Sequence, residues 1–442
     1  MSGVFGFTGK GNAFVEVRTG LEHLSHRGQE SWGIVSGLKD GSFSEARSLG
    51  SIFQLSPLNR AHYGAVAIGQ VRYPTAGEAS DRNAQPIVGS HKKEKVALVH
   101  NGHIPRYKQL MEEIGGLFQT ETDTEVILQM IARFEGSTFL DKVKKTLGVL
   151  GREAAFSLIF LHKGRLIAAR DPFGFRPLSI ARRGDEGEHE WAIASETCAF
   201  HNQFEWIGDV SPGEIVVFER DAMRRMSFAS PDPRPCIVEC LDYASPASRV
   251  FSKNVYEFRE KVGARLAQGE TQKADMIVPI PRAAIPAALG FHGATGIPYR
   301  EPISTVGEVG RIFIISKEKE RMERAEKKFQ VNQGMLKGKE IFLIDTILVR
   351  GSTAMVLIPK LREAGVKKIH LRLTAAPPRF GCYMGMAIAK PGELLATNRT
   401  EEQLRSLIQV DTLRYLTTKE LREHTGTNFC DACISGEYPF PV

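Results

Sequence analysis

Short apolar runs separated by glycines and turn residues fill the first 230 residues of the chain. The runs include VALVHNG, AAFSLIFLHKGRLIAAR, WAIASE and EIVVF, whereas residues 13–25 and 123–134 have the amphipathic spacing of helices. This pattern predicts an α+β layout with β-hairpins. The proline-rich segment SPDPRPC at 230–236 interrupts the periodicity, so we expect one domain at 1–230 and a second at 231–442.

From about residue 250 onward, strand patterns alternate with helix patterns. DMIVPIP is followed by AAIPAALGFHG, and EIFLID is followed by TAMVLIPKLREAG and then by KKIHLRLTAA. This alternation is typical of an α/β domain with a parallel sheet covered by helices. The charged run at 316–330 is interpreted as a solvated face in preference to an amphipathic helix.

The composition narrows the class of protein. A length of 442 residues is too great for one ordinary core, and 42% hydrophobic with 25% charged residues is typical of globular proteins. The net charge of +7 is scattered rather than gathered in a stripe, so we expect no nucleic acid binding. No apolar stretch approaches about 20 residues and the start lacks a secretory pattern, so we expect a cytoplasmic protein without membrane contact.

Five motifs follow one another in the N-terminal part. Removal of Met1 would leave Ser2 with a hydroxyl and a free α-amine that can act as its base, although many unrelated proteins also begin Met-Ser. The motifs are MSGVFGF, HRGQES, RYPTAG, HNGHI and TDTEVI, in that order. Together they resemble the class II glutamine amidotransferase domain, which implies an N-terminal nucleophile αββα sandwich with Ser2 as the catalytic residue.

The resemblance implies a glutamine site. Arg72 offers a fork of donors to the α-carboxylate, Thr75 lies in the same motif, and the carboxylate of Asp123 can hold the α-ammonium. The side chain of Asn101 and the backbone amide of Gly102 would form an oxyanion hole. The alternative for this Asn-Gly pair is a hairpin turn.

Two residues depart from the family pattern in this domain. Ser2 stands where the family places cysteine, and an alkoxide is less populated than a thiolate near neutral pH, so we expect slower attack. Trp32 follows HRGQES at a position where the family has a small residue, and we expect it to narrow the site.

Four cysteines need an explanation beyond packing. The resemblance implies that they ligate a [4Fe-4S] cluster; all-thiolate zinc is the alternative, since four soft ligands without histidine suit either. Cys198 and Cys240 are interpreted as ordinary buried thiols. The four candidate metal ligands are Cys236, Cys382, Cys430 and Cys433.

The segment IFLIDTILVRGSTAMVLIPKLREAG resembles the phosphoribosyl pyrophosphate motif of type I phosphoribosyltransferases. Its loop follows a strand and precedes a helix, the usual place for a phosphate in a parallel sheet. Asp345 would hold the ribose hydroxyls, but Thr346 replaces the second acid of the motif. Mg²⁺ would accompany the substrate if this site is active. The residues expected to wrap the 5′-phosphate are Arg350, Gly351, Ser352 and Thr353.

Two further loops differ from the transferase pattern. Arg282, Ala283 and Ala284 replace the Asp-Ser-Gly that contacts pyrophosphate. Residues 305–308, TVGE, replace the cationic Lys-Asn-Arg-Tyr of the catalytic loop. Fewer cations would stabilise the leaving pyrophosphate, so we expect its departure to be slower.

The resemblance continues through ASETCAF, RDPFGFRP and CDACISGEYP, so it covers nearly the whole chain and identifies it as similar to the amidophosphoribosyltransferase family. This implies a homo-oligomer of purine biosynthesis that converts glutamine and phosphoribosyl pyrophosphate to phosphoribosylamine, here weakened or altered. One alternative is a non-catalytic regulatory paralogue that binds a phosphorylated ligand. Another is a serine-nucleophile amidohydrolase or transferase with a different substrate.

Overall fold

Two antiparallel sheets lie face to face in the N-terminal half of the computed structural model, with helices on both outer faces. The structure describes residues 2–442 apart from 56–63, 74–75, 79, 92–93, 220–221, 307–317, 387–390 and 426–427. Thr75 and residues 307–308 of the TVGE segment therefore lie outside the described residues. In the part of the chain that is described, no helix is both long and apolar enough to cross a membrane.

The first sheet has the strand order β11-β9-β10-β1-β4-β2-β3, and the second has β13-β12-β8-β7-β6-β5. The strands are β1 (Ser2–Thr8), β2 (Ser31–Gly37), β3 (Phe43–Leu49), β4 (Val66–Arg72), β5 (Ile87–His91), β6 (Glu94–His103), β7 (Ala155–His162), β8 (Arg165–Arg170), β9 (Ser179–Arg183), β10 (Glu190–Ala194), β11 (Glu205–Asp209), β12 (Glu214–Glu219) and β13 (Ala222–Ser227). The helices are α1 (Ala13–His23), α2 (Tyr107–Ile114), α3 (Asp123–Arg133) and α4 (Phe139–Leu150).

Three apolar cores hold these layers together. Val4, Ile68 and Ile159 belong to the core between the sheets. The core of the first sheet's outer face includes Phe14 of α1, and that of the second sheet's outer face includes Val126 of α3. The inner strand β7 is buried along its whole length, which explains its nearly continuous apolar run. The expected αββα sandwich is confirmed.

The C-terminal half contains a parallel sheet of order β16-β19-β20-β21, with helices on both faces as expected. The strands are β14 (Arg249–Val250), β15 (Lys253–Asn254), β16 (Met276–Pro279), β17 (Ile303–Thr305), β18 (Phe329–Val331), β19 (Glu340–Asp345), β20 (Lys368–Leu373) and β21 (Thr412–Tyr415). The helices are α5 (Val255–Ala267), α6 (Ile285–Thr295), α7 (Glu318–Lys328), α8 (Gln333–Leu336), α9 (Ser352–Glu363), α10 (Glu401–Leu407), α11 (Thr418–Thr425) and α12 (Ala432–Ser435). The boundary near residue 230 stays a prediction.

The interpretation of the charged run as a solvated face is wrong. Its residues form the helix α7, in which Ala325 is fully buried and Arg321 is only 7% exposed. These two residues lie four positions apart and so share one face of the helix, while Arg324 is exposed. The run contains so few apolar residues that a buried arginine carries part of the packing.

Candidate active sites

The position of Ser2 is set by strand register. Ser2 in β1 lies opposite Arg72 in β4, and Ser31 in β2 lies opposite Arg72 on its other side. Directly opposed residues project from the same face of a sheet, so these three buried side chains lie together. The register thus places the candidate nucleophile beside a guanidinium.

Asn101 provides a polar group aimed at this position. The backbone nitrogen of Ser2 donates to Oδ1 of Asn101 at 3.2 Å. Asn101 is fully buried, and its Nδ2 has no hydrogen-bond partner among the described residues. A buried donor without a partner is costly, which is consistent with a site that awaits an oxyanion.

The Asn101-Gly102 pair does not form a turn, because both residues lie within β6 and pair with Ser157 and Phe156 of β7. A Cβ atom at position 102 would lie 2.0 Å from the carbonyl oxygen of Ala155. Glycine is therefore required for close strand packing beside the site, and the hairpin alternative is wrong.

Asp123 begins α3 and is held as a carboxylate. Its Oδ2 accepts from the backbone of Ile104 at 3.1 Å, while Nδ1 of His103 lies 3.4 Å away and Nδ1 of His100 lies 3.6 Å from Oδ1. Burial acts to raise the pKa of Asp123, but the two imidazoles outweigh it and hold the pKa well below its usual range. Nη1 of the buried Arg72 lacks a partner in the described part of the chain. Arg72 and Asp123 thus provide one cation and one anion that can bind an amino acid.

Trp32 does not narrow the Ser2 site. Successive side chains of a strand point to opposite faces, so Trp32 projects away from Ser31. It is 5% exposed and packs in the core of the outer face that includes Phe14. The indole fills the layer beneath α1.

A buried ion network lies behind Ser2, and the sequence reasoning missed it. Arg27 donates through Nε to the carbonyl oxygen of Ser2 at 3.0 Å and through Nη2 to Oε1 of Glu239 at 2.8 Å. Arg27 also pairs with Glu196, which contacts Nε2 of His26 at 2.9 Å. Because Arg27 lies in HRGQES and Glu196 in ASETCAF, the quoted motifs contained this signal.

The four candidate cysteine ligands surround one small cavity together with Arg176. The backbone brings two of them together, since the amide of Ile237 donates to the carbonyl of Cys430 at 3.1 Å. Burial raises the pKa of the Cys236, Cys430 and Cys433 thiols. Burial also acts to lower the pKa of Arg176, but the nearby thiols and Glu239 outweigh it and raise that pKa.

No three of these four sulfurs lie within 4.8 Å of one another. In the described chain, the single group of three or more His, Cys, Asp or Glu ligand atoms within 4.8 Å of one another is formed by His26, Glu196 and Cys198. Tetrahedral zinc, with Zn–S bonds of about 2.3 Å, would hold its sulfurs within about 4 Å. Among the leftover thiols, Cys240 is fully buried, as expected, whereas Cys198 is partly exposed.

A cavity of about 470 Å³ lies where β16 and β19 end and α9 begins. Gly351 precedes α9 with φ of +73°, and a Cβ atom there would meet Leu395 at 2.6 Å. Arg350 donates to Glu393 at 2.7 Å, and Oγ of Ser352 accepts from Nε of Arg321 at 2.8 Å. The cavity is lined by residues that include His26, Asp242, Arg282, Ala283, Lys328, Asp345, Thr346, Arg350, Gly351, Ser352 and Thr353.

The acidic part of this cavity differs from the expected pair. Burial raises the pKa of Asp345 to about 7, and the nearby charge of Asp242 adds to the shift. Thr346, at the position of the missing acid, donates its hydroxyl to Oδ1 of Asp242 at 2.7 Å. Asp242 was not predicted as a site residue, and no sequence motif marked it.

Comparisons with known proteins identify the family of the chain. Residues 73–202 match a family described as a glutamine amidotransferase domain. The chloroplastic amidophosphoribosyltransferase of Glycine max is 34% identical over 449 residues, which cover 99% of this chain and 78% of that protein. The amidophosphoribosyltransferase of Bacillus subtilis is 34% identical, with coverage of 100% and 94%. A solved structure of glutamine phosphoribosylpyrophosphate amidotransferase from B. subtilis, complexed with ADP and GMP, has a TM-score of 0.89 and 32% identity over 100% of this chain and 98% of its own.

Proposed function

The chain belongs to the amidophosphoribosyltransferase family, and on that premise we propose that it releases ammonia from glutamine and transfers it to phosphoribosyl pyrophosphate. The products are phosphoribosylamine, glutamate and pyrophosphate, a step of purine biosynthesis. The observation that carries the proposal is the pair of buried donors, Nδ2 of Asn101 and Nη1 of Arg72, that lack partners within the described residues around Ser2. Such donors fit an oxyanion and a carboxylate.

In the glutaminase step, the hydroxyl of Ser2 attacks the side-chain amide of glutamine, with its own α-amine as proton acceptor once Met1 is removed. Asn101 and the amide of Gly102 stabilise the tetrahedral oxyanion. Ammonia leaves, and water hydrolyses the ester on Ser2 to glutamate. Arg72 and Asp123 hold the α-carboxylate and the α-ammonium, and we propose that Thr75 contributes a hydroxyl to the same ligand.

In the transferase step, the loop from Arg350 to Thr353 holds the 5′-phosphate and Asp345 contacts the ribose. Ammonia attacks C1 while pyrophosphate leaves with the bonding electron pair. Mg²⁺ bound to the pyrophosphate would neutralise the charge of the leaving group. The substitutions at Arg282 and at 305–308 make this step slower than in relatives with the full motifs.

We propose that the four cysteines hold a [4Fe-4S] cluster that ties the C-terminal tail to the segment after residue 230. The absence of close sulfur triplets in the described structure and the adjacent guanidinium of Arg176 support a wide anionic centre. Iron and sulfide analysis of anaerobically purified protein tests this, and zinc without sulfide would contradict it. From the family we also propose a cytoplasmic homo-oligomer.

The deciding experiment measures pyrophosphate release from phosphoribosyl pyrophosphate by anaerobically purified protein with Mg²⁺ and ammonium. Ammonium bypasses Ser2, so the transferase site is tested alone. Release that disappears in the Ser352→Ala variant supports the proposal. A wild-type rate equal to background would remove the parent reaction, and a full rate in Ser352→Ala would assign the release to a contaminant.

A further inference from the structure

The transferase cavity contains a carboxylate that the phosphoribosyl pyrophosphate motif does not include. Asp242 lies in the short helical segment Glu239–Tyr243, far from the motif in sequence, yet it lines the same cavity as Asp345. Asp242 is only 9% exposed. A carboxylate this buried needs hydrogen-bond donors, and the structure identifies one donor to Asp242.

That donor is the residue that replaced the motif's second acid. Thr346 is 2% exposed and gives its single hydroxyl proton to Oδ1 of Asp242 at 2.7 Å. A hydroxyl has one proton to donate, whereas a carboxylate has about four acceptor positions. The hydrogen bond therefore uses the one proton of Thr346 and one of the acceptor positions of Asp242.

Two carboxylates consequently share one cavity although the motif carries one. Asp242, from the segment Glu239–Tyr243, and Asp345, at the end of β19, both line this cavity. The family arrangement has two adjacent acids on one strand end. Here the second acid comes from a different segment and is anchored by the threonine at the vacated position.

We propose that Asp242 takes the place of the second acid and, with Asp345, accepts hydrogen bonds from the ribose hydroxyls of the phosphorylated sugar. This inference rests on the proposed function for the class of ligand, and it adds the residue that selects ribose. A vicinal diol offers two donors, and the two carboxylates accept one each, Asp242 from the 2-hydroxyl and Asp345 from the 3-hydroxyl. The phosphate is bound elsewhere, at Ser352 and its neighbours, so sugar selection and phosphate binding are separable.

The test compares the dissociation constants of ribose 5-phosphate and 2-deoxyribose 5-phosphate for the full-length protein by calorimetry. We expect wild type to prefer ribose by about tenfold, as a charge-assisted hydrogen bond would give. Asp242→Ala should remove most of this preference and leave the affinity for 2-deoxyribose 5-phosphate unchanged. Asp242→Asn, which keeps the shape of the side chain, decides the matter if the alanine variant does not fold. Ser352→Ala is the matched control, because it should weaken both sugars equally.

Three outcomes would overturn the inference: a wild type without ribose preference, an Asp242 variant that retains the preference, or one that loses affinity for both sugars alike. Binding needs no turnover, so the result is independent of the proposed reaction. A ribose preference that depends on Asp242 in a protein without pyrophosphate release would contradict the proposed function alone. Pyrophosphate release in a protein whose preference for ribose does not depend on Asp242 would contradict this inference alone.

Discussion

The two candidate sites have changed in different ways. Around Ser2, the binding groups lie in strands whose register fixes their positions. The main chemical difference from the family pattern is the hydroxyl of Ser2 in place of a cysteine thiol. In the transferase cavity the loop at Gly351 keeps the motif, while two charged side chains near it, Asp242 in the cavity lining and Arg321 at Ser352, come from segments outside the motif. Features defined by backbone geometry thus persist, while charge can be supplied from another segment of the chain.

The largest effect is expected from replacing Ser2 in the glutaminase site. Ser2→Ala removes the attacking hydroxyl, so glutamate release from glutamine should fall by about 10³-fold or more. Ammonium-dependent pyrophosphate release should be unchanged. Ser2→Cys should instead accelerate glutamate release, since a thiolate is better populated than an alkoxide. Glutamate release that survives in Ser2→Ala would mean that another group attacks glutamine.

The next effect concerns the ion network that lies behind Ser2. Glu239→Gln removes a carboxylate that contacts Arg27 and Arg176, and all three side chains are fully buried. An uncompensated buried charge should lower the free energy of unfolding in urea by about 3–5 kcal/mol. The control is Glu188→Gln, whose partner Lys10 is exposed, with an expected change below about 1 kcal/mol. Equal losses in the two variants would contradict the role of the network.

A smaller effect follows from the protonation of Asp345. Its pKa is raised from 3.8 to about 7 in the fold, so the folded protein binds a proton that the unfolded chain releases. The associated stability is fully present below pH 3.8 and is lost as the pH rises through about 7. Asp345→Asn avoids this loss and should exceed wild type by about 2 kcal/mol in slightly alkaline buffer. Urea unfolding at several pH values checks this. Asp232→Asn, at a well-exposed carboxylate, should keep the wild-type pH dependence.

Local patterns predicted the fold class, and ordered motifs supplied the candidate site residues. Strand periodicity located β6 and β19, and the positions of Asn101 and Asp345 follow from those strands. The domain boundary and the role of Thr75 stay predictions. The helix α7 was missed because its few apolar positions give a weak period, although the buried Ala325 and Arg321 lie on one face.

Local sequence patterns could not predict contacts between segments that are far apart in the chain. Arg27 and Glu239 are 212 residues apart, and Thr346 and Asp242 are 104 apart. Spacing along a chain carries no information on these pairs, because only the tertiary packing of segments far apart in sequence brings them together. A substitution at a motif position, such as Thr346, indicated a lost acid but gave no sign of where a replacement lay.

The last prediction tests whether α7 supplies charge to the phosphate loop. Because Oγ of Ser352 accepts from Nε of Arg321, the hydroxyl proton of Ser352 points elsewhere and can donate to a phosphate oxygen. Arg321→Met keeps the packing stem but removes the donor, so affinity for ribose 5-phosphate should fall about tenfold. Arg324→Met, at an exposed position of the same helix, should bind normally.

A double variant shows whether Arg321 positions the hydroxyl of Ser352 or attracts the phosphate by its charge. If Arg321 acts through Ser352, then adding Arg321→Met to Ser352→Ala should weaken ribose 5-phosphate binding no further, because the hydroxyl that it orients is already gone. Additive losses would mean that the guanidinium attracts the phosphate directly. In either case the cation comes from a helix that follows the altered catalytic loop, whereas the glutamine pocket draws its cation from the strand that pairs with Ser2. One site is thus built on strand register, whereas the other takes its charges from several separate segments.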